Sequence, residues 1–258
     1  LILRKFSRAL DQYSFKAKGS GKSGLISTSR PGPEVMRRTA VEFTEKLLIV
    51  RFEVGFPANG RTINAQELEK ILLDFLPQIV KKCLYYQAWD KRLVQEGFEL
   101  AENQQKIREV LEERKLVAFC ANGSILPRKS GVSSQPLKDA VAFESPKSME
   151  LAIDLPFGGS IFGMGIPEGV TLIIGGGYHG KSTLLQALEQ GVYNHVKGDG
   201  REYVITRANA LKLREEDGRA VSNLDLSLFI HDLPNGKDTH CFSTEDASGS
   251  TSQAAGVM

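Results

Sequence analysis

Eight residues, Gly175-Gly-Gly-Tyr-His-Gly-Lys-Ser182, have the spacing of a phosphate-binding loop: a glycine, four residues, then Gly-Lys-Ser. Nucleotide phosphates must be met by main-chain amides that converge on them, and a glycine-rich turn lets the backbone approach without Cβ clashes. A helix opening near Gly180 would add free N–H groups and the positive end of its dipole. Lys181 would set a point charge against the β- and γ-phosphate oxygens, the Ser182 hydroxyl would ligate Mg²⁺, and Thr183 would donate to the α-phosphate. The expected ligand set is Gly175, Gly176, Gly177, Tyr178, His179, Gly180, Lys181, Ser182 and Thr183. Lys181 is its catalytic cation, Ser182 its metal ligand, and a nucleotide with Mg²⁺ its expected ligands. Tyr178 and His179 are bulky for such a loop and are assigned no chemistry of their own.

The elements around the loop suit that role. Val170-Thr-Leu-Ile-Ile174 is apolar and β-branched, as a buried parallel strand should be, and Ser182-Thr-Leu-Leu-Gln-Ala-Leu-Glu189 is helical. A second glycine run, Gly19-Ser-Gly-Lys-Ser23, has Lys16 where the pattern needs glycine and no apolar strand before it, so it is not read as a nucleotide site. Upstream, Leu47–Val54 reads as a strand and Gly55–Arg61 as its closing loop. Asn64 and Glu67 have capping-box spacing for a helix, which Pro77 should interrupt. Glu99–Lys115 reads as a charged helix with Ile107, Val110 and Leu111 as its buried stripe, and Leu116–Cys120 as a strand. Tyr85, Tyr86 and Trp89 read as helix-packing aromatics rather than a base-stacking platform. Residues 123–146 are rich in turn formers, and Arg128 and Lys129 within them are either solvated charges or phosphate contacts. The fold class is α/β: an N-terminal α/β domain over residues 1–145, then an incomplete P-loop domain over 146–258 with a mainly parallel core.

The chain has 258 residues, with 33 Lys plus Arg against 31 Asp plus Glu. Residues 1–40 nevertheless carry a net +7, from nine basic and two acidic residues. They read as a solvated, mobile arm, with nucleic acid as the possible partner. Cys83, Cys120 and Cys241 are odd in number and far apart, which excludes a disulfide framework and makes a reducing compartment the default. No apolar run approaches the ~20 residues of a membrane span. His231-Asp232 and His240-Cys241 are sequence neighbours whose side chains point apart in a strand, a poor metal site.

Several blocks resemble the family of ATPases of the ABC class. They are the stretch from Gly163 through the phosphate loop to Leu185, with Arg51–Arg61, Gly123–Arg128, Gly191–His195, Gly198–Glu202 and Ala247–Ala254. The resemblance implies a soluble, non-transporter ATPase with its own N-terminal domain. Ser248-Gly-Ser-Thr-Ser252 resembles the ABC signature, which implies that Ser248, Gly249 and Ser250 meet the γ-phosphate held by Lys181 of another subunit in a head-to-tail homodimer. A serine-rich helix cap without a ligand is the alternative for this block. An Asp-Glu pair and a switch histidine should follow the signature in that family. Neither is in this chain, which opens at Leu1 and ends soon after Ser252, so a fragment is expected, one that binds nucleotide weakly and hydrolyses it poorly. Asp225 and Asp232 precede the signature without an adjacent Glu and are not promoted to that role. A P-loop small-molecule kinase and a nucleic-acid clamp are the rival functions.

Overall fold

Leu3, Phe6, Leu10 and Tyr13 recur at helical spacing inside the basic N-terminal stretch. The computed structural model, which describes residues 1–214, 218–233 and 236–258, folds them into helix α1, Ile2–Tyr13. Its apolar stripe packs with Ile26, Ile71, Ile79 and Cys83 in one buried cluster. The start of the stretch is therefore not the mobile arm that its charge suggests: Arg4, Lys5 and Arg8 share a helix with an apolar stripe, and the stripe decides its packing. Its cations are also engaged. The Arg4 guanidinium donates to the Gly32 carbonyl at 2.9 Å, Arg30 pairs with Asp11 at 2.7 Å, and the Lys5 ammonium lies 4.5 Å above the Trp89 ring.

Asn64 caps α2, Ala65–Glu69, by accepting the Glu67 N–H at 3.3 Å, as its spacing requires. A π-helical stretch, Lys70–Phe75, then leads into α3, Leu76–Cys83. Pro77 does not interrupt this run. It stands in the first turn of α3, directly after the π-helical stretch, whose wider turn departs from the regular α-helical ladder. The single strand expected over 47–54 is two short ones: Leu48–Val50 pairs with Val41–Phe43, and Glu53–Val54 with Ile26–Ser27. Tyr85 and Tyr86 are exposed at a 3₁₀ turn, Tyr86–Ala88, rather than packed between helices.

Helix α4, Lys91–Glu113, begins two turns before the expected Glu99 because Asp90 caps it, accepting the Arg92 N–H at 2.9 Å. It leads into β1, Leu116–Ala121. Strands β2, Glu150–Leu155, and β3, Gly159–Pro167, form a hairpin, and helix α5, Lys181–Gln190, precedes β4, Val204–Thr206. The sheet order is β4-β1-β3-β2. Successive side chains of β1 point to opposite faces. Phe119 and Ala121 pack in one cluster with Ile107, Val110 and Leu111 of α4, while Ala118 and Cys120 pack in another with Ala187 of α5.

Three expectations change here. The core is not mainly parallel: every ladder among the described residues is antiparallel, because the chain returns by hairpins and reversals. A division at residue 145 passes through one sheet, since β1 lies before it and β2, β3 and β4 after it. Val170–Ile174 is not a buried strand: it is irregular, with Val170, Leu172 and Ile174 exposed by 95%, 79% and 85%. Apolar β-branched composition gives strand propensity, but a strand forms only where a neighbour supplies the ladder.

The described residues divide into two compact units, Leu1–Asn209 and Ala210–Met258. In the second, β5, Arg219–Leu224, pairs antiparallel with β6, Phe242–Ala247, and helix α6, Gly249–Val257, follows. Val221, Leu226, Phe242, Ala247 and Ala254 are its core.

The packing of α1 sets a direct contrast between two phenylalanines. Phe6 is fully buried and Phe15 is 61% exposed. In urea unfolding, Phe6→Ala is expected to cost about 3–5 kcal/mol and Phe15→Ala under about 0.5 kcal/mol. A mobile N-terminal arm would make both changes neutral.

Candidate nucleotide-binding site

The structure brings Gly175 through Thr183 together as one exposed turn at the head of α5. Gly180 precedes the helix with φ of 81°, a left-handed conformation that opens the first turn and suits glycine. Tyr178 is also left-handed, at φ 61°, and points wholly into solvent, which is how its bulk is accommodated. His179 folds back over Gly176, where a Cβ would come within 3.2 Å of its ring. The Lys181 ammonium donates to the carbonyls of Gly175 at 2.7 Å and Gly176 at 2.5 Å. The lysine therefore lies against the glycine loop that it should serve.

Among the described residues no side chain caps the N-terminus of α5. Its first-turn N–H groups, the Lys181 ammonium and the Ser182 hydroxyl thus lie at one exposed turn. This donor set fits a phosphate chain, with the Ser182 hydroxyl as the available ligand for a hard cation.

Ser248, Gly249 and Ser250 lie in the second unit. Ser248 is the N-cap residue of α6, in extended conformation, and its carbonyl accepts the Ser252 N–H at 2.8 Å. Its hydroxyl meets that of Thr251 at 3.2 Å. Ser248 and Ser250 are exposed at the helix start expected of this block.

The other end of α5 is held by polar groups to which the sequence reading gave no such role. Arg128 is neither a solvated charge nor a free phosphate contact. Its guanidinium donates to the Asp199 carboxylate and main-chain carbonyl, each at 2.7 Å, in a largely buried pair. The same carboxylate oxygen lies 2.6 Å from His195 Nδ1, and His195 Nε2 lies 3.2 Å from the Gln190 carbonyl at the end of α5. Burial alone would raise the Asp199 carboxyl, but the bond from His195 and the charge of Arg128 outweigh it and hold it below the usual carboxylate range. Arg201 is buried beside them, donating to the Leu126 carbonyl, and burial brings its guanidinium down to about 10.

Arg108 of α4 joins the same region. It donates to the carbonyls of Thr206 at 2.7 Å and Val192 at 3.1 Å and to the Asn194 side chain at 2.9 Å. Gly191 must be glycine here, since a Cβ would lie 2.8 Å from the Thr206 hydroxyl and 2.9 Å from the Val204 carbonyl. The sequence signal was a series of polar residues between glycines, 191–202, downstream of an amphipathic helix. Only the fold shows that they share one buried site.

The buried cysteines are poor nucleophiles, since desolvation pushes Cys83 up to about 11 and Cys120 up to about 12. Among the described residues no group of three or more His, Cys, Asp or Glu is arranged to hold a metal ion, and no helix is long and apolar enough to cross a membrane.

The family model of the P-loop domain of ABC ATPases matches residues 90–258, and the model of the N-terminal region of ATPases of the ABC class matches residues 1–87. The junction between the matches falls at the turn before α4. An uncharacterized protein of Methanocaldococcus jannaschii is 36% identical over 142 residues, covering 52% of this chain and 32% of that protein. The alignment thus spans about a third of the relative's length. With an N-terminal region and a P-loop domain that together cover nearly every residue, the chain belongs to the ATPases of the ABC class.

Proposed function

We propose that residues 175–183 bind the phosphates of ATP, with Mg²⁺ held through Ser182. The observation that carries this reading is the N-terminus of α5: uncapped, exposed, and opened by a glycine turn with the Lys181 ammonium against it. In the whole protein the proposed activity is hydrolysis of ATP that drives a conformational cycle. Binding of a fluorescent ATP analogue tests the first step. Lys181→Ala should weaken it by about 10- to 100-fold, the worth of one charged hydrogen-bonding contact, with helix content unchanged. Ser182→Ala should abolish the gain in affinity that Mg²⁺ gives the parent chain. Unchanged binding by the Lys181 variant overturns the assignment.

The exposed N-cap of α6 supports the second step: Ser248, Gly249 and Ser250 meet the γ-phosphate held by another copy, head to tail. Sedimentation of the chain with and without ATP and Mg²⁺ reads this directly. Nucleotide should raise the apparent mass, and the double change Ser248→Ala, Ser250→Ala should remove that rise while leaving analogue binding to the monomer intact. A nucleotide-independent mass in the parent chain contradicts the dimer.

A second reading is favoured by one observation. Arg4, Arg8, Arg30 and Lys197 line a single open cleft of about 550 Å³ and outnumber its two carboxylates, Asp11 and Asp199. Such a surface suits a polyanion, and a nucleic-acid clamp would use it. Filter binding to single-stranded RNA should then fall with a slope of about −0.7 per phosphate contacted on a log–log salt plot. Absence of binding at low salt ends this reading.

A further inference from the structure

The two ends of α5 differ. Its N-terminus carries the phosphate loop and is exposed, while its C-terminus, about 14 Å away along a helix rising 1.5 Å per residue, is engaged by buried polar groups. The Gln190 carbonyl faces His195 Nε2 at 3.2 Å, and the Leu188 carbonyl accepts the Thr206 hydroxyl at 2.7 Å. His195 itself is 1% exposed and is fixed from three sides: its main chain pairs with Glu34, its carbonyl accepts from Gln104 at 2.8 Å, and its Nδ1 faces Asp199 at 2.6 Å.

Both ring partners are acceptors. Asp199 is an ionised carboxylate, bridged by Arg128, and the Gln190 oxygen is a main-chain carbonyl. A neutral imidazole has one N–H and can satisfy only one of them, so both bonds form together only when each ring nitrogen carries a proton. We propose that His195 is a positioning residue for the phosphate-binding helix, tying its carbonyl end to the buried Arg128–Asp199 pair while the ring is doubly protonated. A ring with a single N–H would keep the stronger, charge-assisted bond to Asp199 and release the one to Gln190. The charged groups around the ring are Asp199 and Arg128 in contact, Glu34 on the paired strand, Arg201 beside the pair, and Arg108 of α4, which acts through Asn194.

This inference rests on reading residues 175–183 as a nucleotide site, and the test separates the two. The dissociation constant of the Mg²⁺ complex of a fluorescent ATP analogue is measured from pH 5.5 to 8.5 for the parent chain, His195→Gln and Lys181→Ala. In the parent, affinity should fall by roughly three- to tenfold as pH rises, the worth of about one hydrogen bond. His195→Gln should sit near the parent's high-pH value at every pH. The ratio of the two curves removes the titration of the nucleotide's own phosphates.

A folded His195→Gln protein whose curve superimposes on that of the parent overturns the positioning role, whatever Lys181→Ala does. Parent-like binding by Lys181→Ala overturns the nucleotide site, and the positioning role with it. Should His195→Gln fail to fold by circular dichroism, amide hydrogen exchange of the parent decides. The N–H groups of Ala187–Gly191 should lose protection with rising pH relative to those of Ile107–Leu111 in α4, and an equal change in both sets overturns the proposal.

Discussion

A carboxylate removed from water must be paired or it will protonate, and Asp199 is paired on both sides within a single hydrogen-bond length. One partner, Arg128, is 71 residues away in the chain, and the other, His195, only four. Arg128 belongs to the irregular connection after β1, His195 to the turn after α5, and Glu34, on the strand that pairs with His195, to the segment after α1. The charge of one side chain thus ties the connection after β1 to the turn after α5, and a backbone ladder joins that turn to the segment after α1. Arg201 completes the group by donating to the Leu126 carbonyl, which keeps the chain before Arg128 against the same turn.

Around that point the sheet divides its work by the two-residue period of β1. One face takes α4 and the other takes α5, so the helix that carries the phosphate loop and the helix that carries Arg108 lie on opposite sides of a single strand. Polar side chains of α4 extend beyond its apolar stripe. Asn103 exchanges two hydrogen bonds with the main chain of Phe157 at the β2–β3 turn, each 3.0 Å, and Gln104 donates to the carbonyls of His195 and Glu202. These groups satisfy main-chain carbonyls and an amide outside the four-stranded sheet.

Local chemistry was legible in the amino-acid sequence, and remote pairing was not. The glycine spacing at 175–182, the Asn64 cap and the stripe of Ile107, Val110 and Leu111 are each decided within a few residues, and each stands where its pattern puts it. The direction of the sheet, the fate of Val170–Ile174 and the partner of Arg128 depend on segments tens of residues away. Composition carries no information about those meetings. The N-terminal stretch shows how one signal can mask another: its charge count suggested solvent, while four apolar residues at helical spacing placed it in the core.

The segment leading into the phosphate loop has a bearing on how the protein behaves in solution. Val170–Ile174 combines high β propensity, no charge and no proline with side chains open to water and main-chain groups outside any ladder. Such a run recruits matching strands from neighbouring molecules and stacks with them in register. The residues before the nucleotide loop thus leave main-chain donors and acceptors that a companion strand would pair and apolar side chains that it would cover.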